Sequence, residues 1–333
     1  MKKHNRRVLP VLLVIVMCIV LISAIGLNRK KHSLEETMQA WKSGVSMETI
    51  DTDTNYLQRL ESYSKGLKKQ YMDYVVYQKE DTVLIAPEQI LSYRIHYKSG
   101  AETIDGYVAA PKDYMEKAYP VLIFNRGGNR HYGELDPTTI EYFARYGFIA
   151  MGSQYRGGGD STGEDKFGGA DVQDVIQLID YAKRLNCTNK KLYMFGWSRG
   201  TMEAYIILSR DKRVDAAVVG AGVTDLNKFY VEMNQIGNSE MTGILRELVG
   251  NLKTDSGEYE KRSAINWKDR IDTPLYIVHG TADERVPYHH SDDLYKVMIS
   301  LGKDVKLTQY PGMNHSEPLW TFLDDYFYWL KQH

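Results

Sequence analysis

Cysteine is nearly absent: Cys18 and Cys187 are the two in 333 residues. Cys18 falls inside an apolar N-terminal run, so the rest of the chain keeps one thiol and cannot form an internal disulfide. Cys187, in the helix-to-strand turn Arg184-Leu185-Asn186-Cys187-Thr188, reads as a structural, inert thiol. Neither sign of charge predominates. Forty-two basic residues against 43 acidic ones leave a net charge of −1, which removes the electrostatic case for nucleic acid. Internal repeats and low-complexity tracts are missing, as is any pattern that calls for a metal or cofactor. His289 and His290 are sequence neighbours expected to point apart on a helix, as surface residues rather than ligands.

One long hydrophobic run is present. Val8 to Leu27 holds no charge over twenty residues, follows the basic leader Met1 to Arg7, and matches the thickness of a bilayer core. Arg29, Lys30 and Lys31 follow it, so the basic bias toward an inside N-terminus is narrow. The expectation is a single-span signal anchor over 8–27, a cytoplasmic leader over 1–7 and the remaining domain outside the cytoplasm. Cleavage near Ala24-Ile25-Gly26 would make the protein secreted instead. Residues 28–87 are polar and helix-prone, and read as a helical stalk or N-terminal cap.

From residue 88 to 333 short apolar runs alternate with helix-like segments. Ile90–Tyr97 and Thr103–Ala109 flank Lys98-Ser99-Gly100, a hairpin signal. Val121–Phe124, Phe148–Met151, Leu192–Phe195, Ala216–Val219, Leu275–Val278 and Val305–Tyr310 follow as strands. Between several of them lie amphipathic stretches such as Ala170–Leu185. Such alternation implies an α/β fold, with a mostly parallel central sheet covered by helices on both faces. Between about 223 and 267 the alternation stops, where a helical lid is expected; Tyr230, Met233 and Met241 either line a pocket there or pack within the cap.

Gly196-Trp197-Ser198-Arg199-Gly200 follows one of these strands and precedes a helix. That is a nucleophile elbow, in which a tight, strained turn lifts a serine hydroxyl above the sheet. A hydroxyl needs a base to take its proton, and the imidazole needs a carboxylate to fix its tautomer. His315, in Tyr310-Pro311-Gly312-Met313-Asn314-His315, is the candidate base. Asp283, in His279-Gly280-Thr281-Ala282-Asp283, is the candidate acid, with Asp225 as the alternative and His279 as a core or turn residue. Ser198, Asp283 and His315 occur in the chain order of α/β-hydrolases. The oxyanion hole calls for the backbone N–H of Arg199 and a donor from Asn125-Arg126-Gly127-Gly128-Asn129, with Gly127 first and Arg126 beside it. Trp197, Tyr155 and Tyr230 are the substrate-binding candidates.

Together these segments resemble the catalytic domain of the prolyl oligopeptidase family of serine peptidases. Tyr155-Arg156-Gly157-Gly158-Gly159 with Phe167-Gly168-Gly169-Ala170-Asp171, His279-Gly280-x-x-Asp283-x-x-Val286-Pro287 and Tyr310-Pro311-Gly312-x-x-His315 carry the likeness. The resemblance covers roughly 88–333 and implies Ser198 as nucleophile, Asp283 as acid and His315 as base. Thr201 stands where the family's elbow usually continues with glycine, and Arg126 where a tyrosine or histidine is common. The family's β-propeller has no counterpart in the sixty residues before the first strand. The expected activity is hydrolysis of small peptides or aminoacyl amides through an acyl-enzyme. Carboxylesterase action on small acyl esters and a catalytically silent binding module are the alternatives, and the oligomeric state is left open.

Overall fold

Five runs buried along their whole length form the middle of one twisted sheet. The computed structural model describes Ser33, Glu36 and residues 45–333 apart from Lys79 and Asp81. In chain order its principal elements are β1 (Val45–Thr49), α1 (Thr54–Gln70), β2 (Ile90–Ser99), β3 (Glu102–Pro111), β4 (Val121–Asn125), α2 (Pro137–Ala144) and β5 (Ile149–Ser153). There follow α3 (Val172–Arg184), β6 (Leu192–Trp197), α4 (Arg199–Arg210), β7 (Ala216–Gly220), α5 (Leu226–Gln235), α6 (Ser239–Leu248) and α7 (Ser256–Glu260). The chain closes with β8 (Leu275–Gly280), α8 (His289–Ser300), β9 (Val305–Tyr310), α9 (Glu317–Thr321) and α10 (Leu323–Lys331).

The nine strands lie in the order β1-β2-β3-β5-β4-β6-β7-β8-β9. β1, β2, β3 and β5 pair antiparallel, and every pairing from β5 through β9 is parallel. This is the α/β-hydrolase-like architecture. The chain leaves β4 for β5 on one side and returns to β6 on the other, so a crevice opens beyond their carboxyl ends, where Asn125 pairs with Gly196. Ligand sites of open α/β sheets sit at such a reversal, and Ser198 is the next residue but one.

Each face of the sheet carries its own apolar core. On one side α3 buries Val172, Val175, Leu178, Ile179 and Ala182, a helical stripe, beside α4 and the helices that follow β7. On the other, Phe143, Phe148, Phe195, Tyr326 and Phe327 interlock edge to face beneath α2 and α10. Leu57 and Leu60 of α1 join this second core, and buried Lys68 pairs with Asp324 at 2.8 Å. The segment read as a helical stalk thus contributes an edge strand as well as a helix. Of β1, Met47 alone is shielded among Ser46–Thr49, so its alternation was too weak to stand out in the sequence.

The expected membrane anchor is corrected. No helix among the described residues is long and apolar enough to cross a membrane, and the run 8–27 lies outside the described residues. The single-pass, extracytoplasmic placement therefore has no support in the fold.

Candidate active site

Ser198 sits at φ 57°, ψ −123°, between the last residue of β6 and the first of α4. A non-glycine residue held there costs on the order of 1–3 kcal/mol and needs surroundings that enforce it. They are present: Ser198 N–H donates to Gly220 O at 2.9 Å, and Thr201 N–H to Ser198 O at 3.0 Å. Gly200 lets α4 press against the end of β4, because a Cβ at that position would lie 2.0 Å from Asn125 O. Thr201, the departure from the family's glycine, has a use of its own. Its hydroxyl accepts from Gly220 N–H at 3.0 Å and lies 2.7 Å from Gly220 O and 3.0 Å from Gly196 O, tying the elbow to β7.

Asp283 and His315 come from the loops after β8 and β9. His315 Nδ1 lies 2.7 Å from Asp283 Oδ2. An ionised carboxylate only accepts, so the proton is on Nδ1 and the Nε2 lone pair is left to act as a base. Asp283 Oδ1 accepts the backbone N–H groups of Arg285 and Val286, each at 2.9 Å. Burial alone would raise this carboxyl, but the hydrogen bonds from His279, His315 and Val286 N–H hold it well below the ordinary carboxylate range. The histidine loop is also fastened to the elbow, since Trp197 Nε1–H donates to His315 O at 3.1 Å.

His279, read from the sequence as a core or turn residue, is an added member of the site. Its ring is fully buried, with Nε2 3.1 Å from Asp283 Oδ2 and 3.0 Å from Val286 O, and Nδ1 2.7 Å from Ser291 Oγ. Both neighbours of Nε2 are acceptors, so that nitrogen carries the proton and Ser291 donates to Nδ1. The only signal in the sequence was its position four residues before the acid. We predict that His279→Leu lowers kcat about tenfold to a hundredfold with KM unchanged, the value of one hydrogen bond to a charged group. His279→Gln, which keeps a donor, should recover part of the loss. Equal losses in the two variants would show that the ring matters for packing and not for holding Asp283.

The loop after β4 crosses directly over Ser198: a Cβ on Gly127 would lie 3.2 Å from Ser198 Cβ and 3.7 Å from its Oγ. Gly128, at φ 75°, turns the loop where a Cβ would strike Tyr132 O at 2.0 Å. Arg126 needs correction. Its guanidinium is buried and donates inward to the carbonyls of Gly127, Arg130 and Gln154, so it braces the loop from beneath and offers no side-chain donor to substrate. Arg199 begins α4, where unpaired helix N–H groups and the helix dipole favour negative charge. Its side chain points the other way, into a buried cluster with Asp165, Asp171 and Glu203.

A cleft of about 530 Å³ opens beside Ser198. Phe167 and Met202 floor it, Phe229, Met233, Met241 and Ile244 from the helices after β7 wall it, and Glu284, Arg285 and Val286 carry it to the Asp283 loop. The other substrate-binding candidates do not line it. Tyr155 is fully buried, donating to Arg126 O at 3.2 Å, and Tyr230 packs edge-on against Tyr259. Trp197 is buried against the histidine loop. Asp225, the alternative acid, caps α5 by accepting from Lys228 N–H.

Residues 119–332 match the prolyl oligopeptidase family, Peptidase_S9. The chain belongs to this family. It is a serine hydrolase of the serine-peptidase type. The chain is 25% identical over 234 residues to "Uncharacterized peptidase YtmA" of Bacillus subtilis (strain 168), covering 69% of this chain and 88% of that protein. It is 24% identical over 233 residues to "Uncharacterized peptidase YuxL" of the same organism, covering 64% of this chain but 33% of the relative. The acylaminoacyl peptidase of Pyrococcus horikoshii superposes with a TM-score of 0.61 at 20% identity, over 73% of this chain and 41% of that one. That last likeness is one of fold.

Proposed function

We propose that this member of the family cleaves small peptides or aminoacyl amides, with Ser198 as nucleophile, His315 as base and Asp283 as the carboxylate that orients it. The observation that carries the reading is the 2.7 Å contact between His315 Nδ1 and Asp283 Oδ2, on a loop tied by Trp197 to the strained Ser198 turn. As Ser198 Oγ attacks the carbonyl carbon its proton passes to His315 Nε2, and the imidazolium is stabilised by Asp283. The carbonyl oxygen becomes an anion beneath the N–H groups of Arg199 and Gly127. His315 then returns the proton to the departing amine, leaving an acyl-serine. Water, deprotonated by the same imidazole, releases the acid and restores Ser198.

Two features favour a peptide over a neutral ester. The apolar walls fit a large side chain, while Glu240 and Glu284 stand exposed at the cleft with Arg285, giving carboxylates for an amine and a guanidinium for a carboxylate. The test is labelling by a fluorophosphonate probe, together with turnover of aminoacyl-nitroanilides and short nitrophenyl esters by the same preparation. The expected result is labelling and cleavage of nitroanilides that carry a large apolar residue. Labelling with turnover of esters alone would replace the peptidase reading with an esterase. Absence of labelling would remove the catalytic assignment of Ser198.

A further inference from the structure

His289 and His290 do not point apart. They open α8 with their ring centroids 4.6 Å from each other and both Nε2 atoms turned toward Glu232 of α5. His289 Nε2 lies 2.9 Å from Glu232 Oε1, and His290 Nε2 lies 3.3 Å from Glu232 Oε2. One ligand atom from each residue falls within 4.8 Å of the others. The His290 ring is 1% exposed, yet neither of its nitrogens nor Glu232 Oε2 has a hydrogen-bond partner. Leaving such groups unpaired in a buried place costs about 1–3 kcal/mol each, so their convergence calls for an explanation.

We propose that Glu232, His289 and His290 bind a divalent transition-metal ion of the zinc class, a site separate from the serine machinery. Two imidazole nitrogens and a carboxylate oxygen are donors that suit such an ion, and three protein ligands leave a fourth position for water. Bonds of about 2.0–2.1 Å arranged tetrahedrally put ligand atoms about 3.3 Å apart, so the two imidazoles, each facing its own oxygen of the one carboxylate with ligand atoms within 4.8 Å, need only a small contraction to share an ion. Solvent reaches Glu232 through a surface cleft of about 510 Å³ that Lys228 and Gln235 also line.

Without an ion, Lys228 Nζ donates to His289 Nδ1 at 3.1 Å, and Nε2–H faces Glu232. Binding an ion at Nε2 requires that proton to leave to solvent and a solvent proton to settle on Nδ1, with Lys228 giving up its bond to that nitrogen and keeping its 2.9 Å pairing with Asp293. Asp293, 3.6 Å from Nδ1, is the nearest carboxylate that a small closure would bring into reach of that N–H. In another group of potential ligands, His96, Asp105 and Asp160, both carboxylates are already engaged by Arg94. The ion would join α5 to α8 behind the cleft, since Phe229, three residues before Glu232 on α5, packs edge-on against His290 and walls the cleft.

The test is titration of the chelator-stripped full chain with Co²⁺ and Zn²⁺, followed by visible absorption and thermal denaturation. One equivalent of Co²⁺ with the intense spectrum of a four-coordinate ion, displaced by Zn²⁺, is expected, as is a Tm that rises with Zn²⁺. Glu232→Gln and His289→Ala both change partly exposed residues and should fold. Each should weaken binding by more than the ~10–100-fold that loss of an outer partner costs, and should abolish the rise in Tm. Absence of stoichiometric binding to the wild type, or binding unchanged in both variants, overturns the proposal and leaves a hydrogen-bonded His–Glu cluster. Fluorophosphonate labelling of Ser198 should persist in both variants, so this result stands apart from that of the peptidase reading.

Discussion

Replacing Ser198 by alanine is expected to reduce kcat by a factor on the order of 10⁶, with the fold and the affinity for substrate preserved. The large effect follows from the roles of the three loops acting as one unit. Without Oγ there is no group for the acyl chain to join, and the imidazole that Asp283 orients has no proton to take. Preservation of the fold follows from the local structure. The hydrogen bonds that hold the turn come from backbone N–H groups and from Thr201 Oγ1, none of them from Ser198 Oγ. Alanine also keeps the Cβ that lies against Gly127. The measurement is steady-state turnover of a nitroanilide alongside circular dichroism and inhibitor binding. A residual rate within tenfold of wild type would mean that another residue attacks the carbonyl, and the site as built here would be wrong.

Much of this site could be read before the structure because the fold encodes it in short, ordered segments. The elbow needs small residues at 196 and 200, the acid and base loops each follow a strand, and the strands are unbroken apolar runs. These are local constraints, and a single sequence displays them. What stayed hidden depends on partners distant in the chain. His279 was ambiguous because a histidine at a strand end looks the same whether or not it donates to Asp283. Arg126 read as a donor from the loop, but the carbonyls of Gly127, Arg130 and Gly133 in that loop and of Gln154 after β5 surround its guanidinium and turn it inward. The cleft walls lie on helices between β7 and β8, where methionine and phenylalanine at helical spacing mean core as readily as pocket. His289 and His290 were placed apart by helical geometry, which rotates successive residues by about 100°. At the first turn of a helix both long side chains reach the same carboxylate, and the periodicity does not decide the contact.

The second large effect lies behind the elbow, in the side chain of Arg199. Its guanidinium is 2% exposed and contacts three carboxyl groups that are no more exposed than it is. It lies 2.6 Å from Asp165 and 3.1 Å from Glu203, pairs closely with Asp171, and donates to Gly128 O of the loop after β4 at 3.1 Å. One cation cannot neutralise three anions, and the cluster resolves this by keeping a proton. Burial, and then the charge of Asp171, push the Glu203 carboxyl well above 4.5. Asp171 is held well below the usual range, because Arg199 and a hydrogen bond from Glu203 outweigh its burial. Arg199→Met strands Asp165 and Asp171 in the interior, and is expected to cost roughly 3–5 kcal/mol in urea unfolding, the scale for breaking a buried pair from one side. Glu203→Gln imitates the protonated acid and should cost little. The pH dependence gives the sign. A carboxyl whose folded pKa is raised contributes stability that is complete below pH 4.5 and is lost as pH rises, because unfolding then releases its proton. Glu203→Gln removes that dependence, so the variant should gain on the wild type between pH 4 and pH 7. A gap that stays constant, or an Arg199→Met loss under about 1 kcal/mol, would show that the cluster carries less buried charge than its geometry requires.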